Sequence, residues 1–537
     1  MGKSKEQKSG KIYFNRRSPA FSLHTSYLIL LTLASGILMG LTTAPVGAWF
    51  LAWIALAPLW VLVVRSRKEK SLHPLSFILH PLVWGIGYHG VALFWITGIH
   101  PMTWMGVSWL NSLAIALFCW TFITLWGAAL VVAWAAGMAF LARGVGILAR
   151  VLIGTALWCG LESLWSAGPL WWSSLAYTQS PYNLPILHLG QLSGSNTVTA
   201  AIVLVNALFA EAWMKVGARE KTLHRSSYLL PLTLCLALHL LGYGLYSRPL
   251  TQAPDTALKV GIIQGNIPNQ IKLYPEGIQR AIAGYTEGYK TLAEQGVDAV
   301  LTPEGALPFR WSYVRQTSFY SAVKEKGVVA WVGAFGEEGR SYTNSLFTLT
   351  GRGEVYSRYN KVKLVPIGEY IPFEQYLGDI VGRLSPLDEH QLAGAPNQVF
   401  DTPFGRAIVV ICYGSAFSEQ FRYQAEQGGQ FILSPSNDAH YSAAMPAQHH
   451  AQDVMRAIET DRWGVRATNT GYSAIVDPHG RTVWISGHNT YELHTDTIYR
   501  RQTKTLYVRW GDWLTPLLLV LGGIAWLLNR NEKQTSN

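Results

Sequence analysis

Apolar positions are spread unevenly along the chain, and the unevenness divides it. Before residue 250 almost every window is rich in Leu, Trp, Ala and Val, whereas from Ala257 to about Val508 charges, Pro and turn residues recur at ordinary globular frequency. A bilayer-spanning helix needs about 20 mainly apolar residues. Seven such stretches precede the polar region, near 27–45, 47–64, 76–98, 107–137, 148–166, 190–214 and 227–246, and an eighth follows near 512–528. The expected organisation is a multi-span α-helical membrane domain over 1–250, an α/β domain over 257–508 and a closing transmembrane helix over 512–528 with a short tail.

Inside the polar region the period changes. Short apolar runs (ALKVGIIQG, DAVLTPE, VVAWVGAF, YTNSLFTLT, GEVYSRY, GRAIVVICY, QFILSPSND, GVRATNTG) predict strands. Between them, helical patterns cover Gln279 to Glu294, Ser318 to Lys326, Gln420 to Gln427 and about Ala447 to Arg462. Asp477-Pro478-His479-Gly480 predicts a hairpin joining YSAIV to RTVWI. Such alternation implies sheets buried between helices, with reactive groups where strands end.

Charge sets an orientation. Lys and Arg crowd the N-terminal tail (Lys3 to Arg17) and the segments holding Arg65 to Lys70, Arg143 and Arg150, and Lys215 to Arg225, while the intervening connections carry none. By the preference of basic loops for the cytoplasm, seven crossings put the polar domain outside and the eighth returns the tail. Much of the net charge of +11 lies in those cytoplasmic segments. It therefore points to anionic lipid headgroups and not to nucleic acid.

Of four cysteines, Cys119, Cys159 and Cys235 fall within apolar spans, so Cys412 has no partner in its own domain. A single thiol closing the run RAIVVIC, just before Tyr413 and Gly414, is a candidate nucleophile. At an ordinary pKa of about 8.5 a thiol is scarcely ionised at neutral pH and needs a base. Glu304, at the end of DAVLTPE, and Lys361, at the end of EVYSRYNK, are reactive groups at two other strand ends. Both have an ordinary alternative as solvated strand-end charges.

TPEGALPF, YNKVKLVPIGEYIPF and VVICYGSAFSEQFR together resemble the Glu-Lys-Cys signature of the nitrilase superfamily. More narrowly they resemble the apolipoprotein N-acyltransferases, a bacterial membrane family, whose further landmarks are matched by QGNIP at 264–268, SNDA at 436–439, MRAIE at 455–459 and TNTG at 468–471. The resemblance implies a nitrilase-like αββα sandwich on the periplasmic side of the inner membrane, with both termini cytoplasmic. It also implies transfer of the sn-1 acyl chain of a phospholipid through a Cys412 thioester to the α-amine of a diacylglyceryl-cysteine on an apolipoprotein. Glu304 would be the base, Lys361 would stabilise the oxyanion, and Glu369 would orient one of them. No organic cofactor or metal is required, and a monomer is expected to suffice.

Supporting positions are Tyr413, Glu419 and Asn437, the last also suited to an Asx turn with Asp438. The chain departs from the family at Gly414, where Glu is usual, at Leu273, where Trp is expected, and in the HYSAAMP continuation of the SNDA loop. Glu419 would be the substitute carboxylate. These departures keep two alternatives open: a catalytically silent lipoprotein-binding scaffold and a membrane-tethered amidase. His440, His449 and His450 with Asp438 and Asp453 fit no standard metal spacing and read as a polar loop and helix face. Glu162, inside the fifth span, marks a functional or paired interior. Trp171, Trp172 and Tyr177 read as interfacial anchors.

Overall fold

The computed structural model describes residues 19–65, 76–216, 228–366, 368–370 and 391–535. Twelve strands form its second half: β1 Ala257–Gln264, β2 Ala299–Leu301, β3 Val329–Glu338, β4 Ser341–Leu349, β5 Val355–Asn360, β6 Phe400–Thr402, β7 Gly405–Val409, β8 Ile432–Ser436, β9 Gly464–Thr468, β10 Ala474–Val476, β11 Thr482–Ile485 and β12 Glu492–Tyr499. They make two six-stranded sheets, ordered β12-β1-β2-β3-β4-β5 and β6-β7-β8-β9-β10-β11. Read in that order, both sheets follow one plan: an antiparallel pair, two parallel pairs, then two antiparallel pairs. Non-glycine residues with positive φ follow the matching strands β1 and β7, namely Asn266 (φ 50°) and Cys412 (φ 49°).

The inward faces of the sheets meet in a core that includes Val260, Ile262, Trp331, Val409, Ile411, Leu433 and Val465, all buried. At about 1.5–3 kcal/mol for each fully buried large aliphatic side chain, this layer sets the spacing of the strand ends. Helices Pro275–Glu294 and Ser318–Lys326 cover the outer face of the first sheet through Tyr285, Tyr289, Leu292 and Phe319. Helices Ser418–Glu426 and Ala444–Thr460 cover the second. The expected αββα sandwich is present. The two strands that the apolar runs did not reveal are β6, of three residues, and β12, a half-buried edge strand reading ELHTDTIY.

Among the described residues, four helices are long and apolar enough to cross a bilayer: Trp109–Leu141, Ile147–Ala167, Ser195–Lys215 and Leu229–Tyr246. Shorter apolar helices occupy Ser26–Gly40, Trp49–Arg65 and Leu514–Arg530. The expected stretch 76–98 is a helix to Ala92 followed by a 3-10 turn, Phe94–Ile99. Within the stretch near 190–214 the long helix begins at Ser195, after a separate turn, Gly190–Ser193.

The halves share a core. Helix Ala444–Thr460 is buried continuously from His449 to Thr460, with the second sheet on one side and the apolar block on the other. Its Val454, Met455, Ala457 and Ile458 belong to the same buried cluster as Trp60, Trp84 and Trp134. Trp171, Trp172 and Tyr177 are buried, which corrects their reading as interfacial anchors. Trp172 Nε1 donates to Gln448 Oε1 at 2.8 Å, and Tyr177 OH accepts from Arg456 Nη2 at 2.9 Å. Glu162 is a structural knot, accepting from Trp158 Nε1, Ser174 Oγ, Leu175 N–H and Thr199 Oγ1 at 2.8–3.2 Å.

Candidate active site

Each candidate residue sits just past a strand, where the sheets present loops at one rim. Glu304 follows β2, and its approach depends on Gly333, because a Cβ there would lie 2.0 Å from the Pro303 carbonyl oxygen. Lys361 follows β5 and is pinned by its own N–H, which donates to the Asn344 carbonyl at 2.7 Å. Cys412 follows β7 at the start of the 3-10 turn Cys412–Ala416. Its positive φ is a left-handed conformation that costs a non-glycine residue about 1–3 kcal/mol, so the surroundings must hold it.

The three groups converge. Lys361 Nζ lies 2.7 Å from Glu304 Oε1 and 2.7 Å from Glu369 Oε1. Asn344 Nδ2 donates to the same Glu304 oxygen at 2.8 Å, and the Cys412 thiol lies close enough to interact with the carboxylate as well. Glu369 Oε2 accepts from the Val365 N–H at 2.8 Å, which turns the carboxylate toward Lys361. All three principal side chains are buried.

Burial alone would raise Glu304, but the Lys361 ammonium outweighs it and holds the carboxyl below its ordinary value. Burial opposes the Lys361 charge, yet Glu304 and then Glu369 drive its pKa up. Burial pushes the Cys412 thiol well above its ordinary value, and the Glu304 charge adds to this. The resting proton is therefore on sulfur, beside an ionised acceptor. An adjacent carboxylate can remove that proton as the sulfur attacks, and the ammonium can meet the negative charge that then forms on a carbonyl oxygen.

The supporting residues divide. The Asn437 backbone interacts with the Cys412 sulfur, while its side chain accepts from Asn469 Nδ2 at 3.1 Å. Tyr413 OH donates to the carbonyls of Pro169 (2.6 Å) and Trp171 (3.0 Å), and its ring stacks on Trp172 with 6.2 Å between centroids. Glu419 does not join the site. It is 67% exposed and pairs with Arg422 one helical turn along at 2.6 Å, so it cannot substitute for a carboxylate beside the nucleophile. At Gly414 a Cβ would meet Val410 Cγ1 at 2.3 Å, so packing of the preceding strand end excludes the family's usual Glu there. Leu273 is 63% exposed.

The histidine and aspartate positions require a correction. Asp438, His449, His450 and Asp453 are buried and form no solvated face; His440 alone of that group is exposed. Their burial follows from the covering of helix Ala444–Thr460 on both sides. His449 Nε2 donates to the Cys412 carbonyl at 2.9 Å, since a carbonyl oxygen only accepts. Its Nδ1 faces Arg466 Nη2 at 2.6 Å and Asp438 Oδ1 at 3.2 Å, and Arg466 Nη1 reaches Asp453 Oδ2 at 2.6 Å. Burial would raise Asp438, but His449 and Arg466 outweigh it and hold it at about 2.

Cys412, Asp438 and His449 offer ligand atoms within 4.8 Å of one another. Both imidazole nitrogens are already engaged and a guanidinium lies among these atoms, so the donor set does not suit a cation. Sequence reasoning did not find Lys272, Asn344, Gln448 or Arg466. Lys272 carries a signal, lying four residues beyond QGNIP; the others are ordinary strand and helix positions.

Comparison with known proteins agrees with this architecture. A family model for carbon-nitrogen hydrolases matches residues 259–506, and one for the apolipoprotein N-acyltransferase N-terminal domain matches residues 35–208. A Nostoc sp. protein named apolipoprotein N-acyltransferase is 67% identical over 502 residues, covering 93% of this chain and 99% of that one. A Synechocystis sp. protein of the same name is 51% identical over 510 residues, covering 91% and 98%. One from Gloeobacter violaceus is 37% identical over 527 residues, covering 96% and 97%. With its apolar helices packed against a nitrilase-like sandwich, the chain belongs to the apolipoprotein N-acyltransferase family of membrane-embedded acyltransferases.

Proposed function

We propose that Cys412 accepts an acyl chain from the sn-1 position of a phospholipid as a thioester and passes it to the α-amine of a diacylglyceryl-cysteine on an apolipoprotein. The observation that carries this reading is the Glu304–Lys361–Glu369 cluster against the Cys412 sulfur, beside an aromatic wall of Trp95, Trp172, Tyr413 and Phe417 shared with the apolar block. Glu304 takes the thiol proton and delivers it to the departing glyceryl oxygen. In the second half it takes a proton from the attacking amine and returns it to the departing Cys412 sulfur, which restores the thiol. Lys361 holds the tetrahedral oxyanion in both halves.

In this reading residues 1–250 and 512–528 hold the 257–508 domain against the periplasmic leaflet of the inner membrane, with both termini cytoplasmic and one chain sufficient. The basic residues of alternate connections support that orientation.

The test supplies detergent-solubilised protein with a phospholipid bearing an alkyne fatty acid. A hydroxylamine-sensitive adduct that disappears in Cys412→Ala is expected, as is a third acyl chain on an added diacylated lipopeptide. Absence of the adduct would sink the thioester. An adduct that only hydrolyses would replace the transferase with a hydrolase.

A further inference from the structure

The charges beside the sulfur do not balance on the groups given roles so far. Glu304 and Glu369 share one ammonium, that of Lys361. Like charges side by side disfavour ionisation, and Glu304 is the buried member of this pair while Glu369 is only half-buried. A protonated Glu304 could not act as a base. A further cation reaches this centre: Lys272, the last residue of the short helix Asn269–Lys272 that follows β1. Its Nζ donates to the Glu304 carbonyl oxygen at 3.2 Å. Among the described residues this is its one hydrogen bond, and no carboxylate lies within ion-pair distance of it. Its charge is felt by the Glu304 carboxylate and, more weakly, by Cys412.

We propose that Lys272 is a positioning residue for Glu304: its ammonium is the second counter-ion that keeps this carboxylate unprotonated and able to take the Cys412 proton. The inference rests on the thioester reading above. In that step the S–H bond breaks, an O–H bond forms on Glu304, and sulfur bonds to the ester carbon, whose π electrons move to oxygen. The titratable groups facing Glu304 are Lys361, Cys412, Lys272 and, from the loop after β8, His440; Glu369 reaches it through Lys361, and Asp438 faces the sulfur from behind. Burial lowers Lys272 to about 8, so it remains mainly charged at neutral pH.

The sign follows from the charge. Removing a cation raises the pKa of a neighbouring carboxylate, so the base form is lost at a higher pH on the acid side, while the alkaline plateau remains. The test is the pH–rate profile of adduct formation by full-length protein with the alkyne phospholipid, for wild type, Lys272→Gln and Lys272→Arg. Glutamine keeps a donor for the Glu304 carbonyl without the charge; arginine keeps the charge. Lys272→Gln is expected to raise the acid-limb midpoint by about one pH unit, a roughly ten-fold loss of rate below it, at an unchanged plateau. Lys272→Arg is expected to keep the wild-type midpoint.

A glutamine variant with the wild-type midpoint, or one that loses only plateau rate, overturns the proposal. An arginine variant with a raised midpoint overturns it independently, should the glutamine variant not fold. Failure of the wild type to form any adduct would instead strike the thioester reading itself.

Discussion

Two clusters of charged groups flank Cys412, and they are built differently. In front, Glu304, Lys361 and Lys272 present charge to the sulfur, with Glu369 paired to Lys361. Behind, Asp438, His449, Asp453 and Arg466 bond mainly to one another, though the Asp438 charge is also felt at the sulfur, and His449 bonds to the Cys412 carbonyl. The front cluster can move a proton; the rear one holds a backbone in a left-handed conformation. Charged groups near a nucleophile are therefore not equivalent, and the atom each one touches separates chemistry from support.

Mutation can break that distinction, and the largest effects belong in front. Cys412→Ala is expected to abolish the adduct. Glu304→Gln and Lys361→Ala are expected to slow its formation by about 10²–10⁴-fold, with a lower melting temperature in Lys361→Ala, which leaves the buried Glu304 carboxylate without its nearest cation. Normal labelling in either would remove that residue from the chemistry. His449→Ala, in the rear, is expected to lower kcat by about 10²-fold through misplacement of the sulfur, with partial recovery in His449→Gln, which restores a donor. An alanine variant with unchanged kcat would make the rear cluster a bystander.

Smaller effects follow further out. Gln448→Leu removes the partner of Trp95 Nε1, Trp172 Nε1 and the carbonyls of Ala44 and Ala92. Each buried group left unpaired costs about 1–3 kcal/mol, so a melting curve in detergent should fall while the sulfur chemistry persists. Acid adds a gentler probe of the rear cluster. The folded protein holds Asp438 at about 2, against an ordinary 3.8. The stability this contributes is complete above the ordinary value and is lost as pH falls from there through about 2. Asp438→Asn should flatten that part of a pH–stability curve. Glu419→Ala should change nothing beyond about 0.5 kcal/mol; a loss of activity would return that carboxylate to the site.

Much of this was legible in the chain. The runs ending at Glu304, Lys361 and Cys412 are strand ends, and the helix expected at Ser318 to Lys326 has those bounds. Legibility failed where a local pattern is overridden by what packs on it. His449 and Asp453 look like a polar helix face because nothing in the sequence says that a second layer covers helix Ala444–Thr460. Trp171 and Trp172 look like interfacial anchors for the same reason. β12 escaped because an edge strand half-buried along its length needs no apolar run. The connection from Ile371 to Gln398, where Gly and Pro suggest a moving segment, lies outside the described residues as far as 390.

The Tyr413 hydroxyl, bonded to two carbonyls of the apolar block one residue beyond the nucleophile, has a consequence for traffic. It ties the segment that carries the sulfur to the apolar block. In the proposed reaction the ester bond and the amine would therefore have to come to the sulfur, and turnover would depend on how two lipids travel.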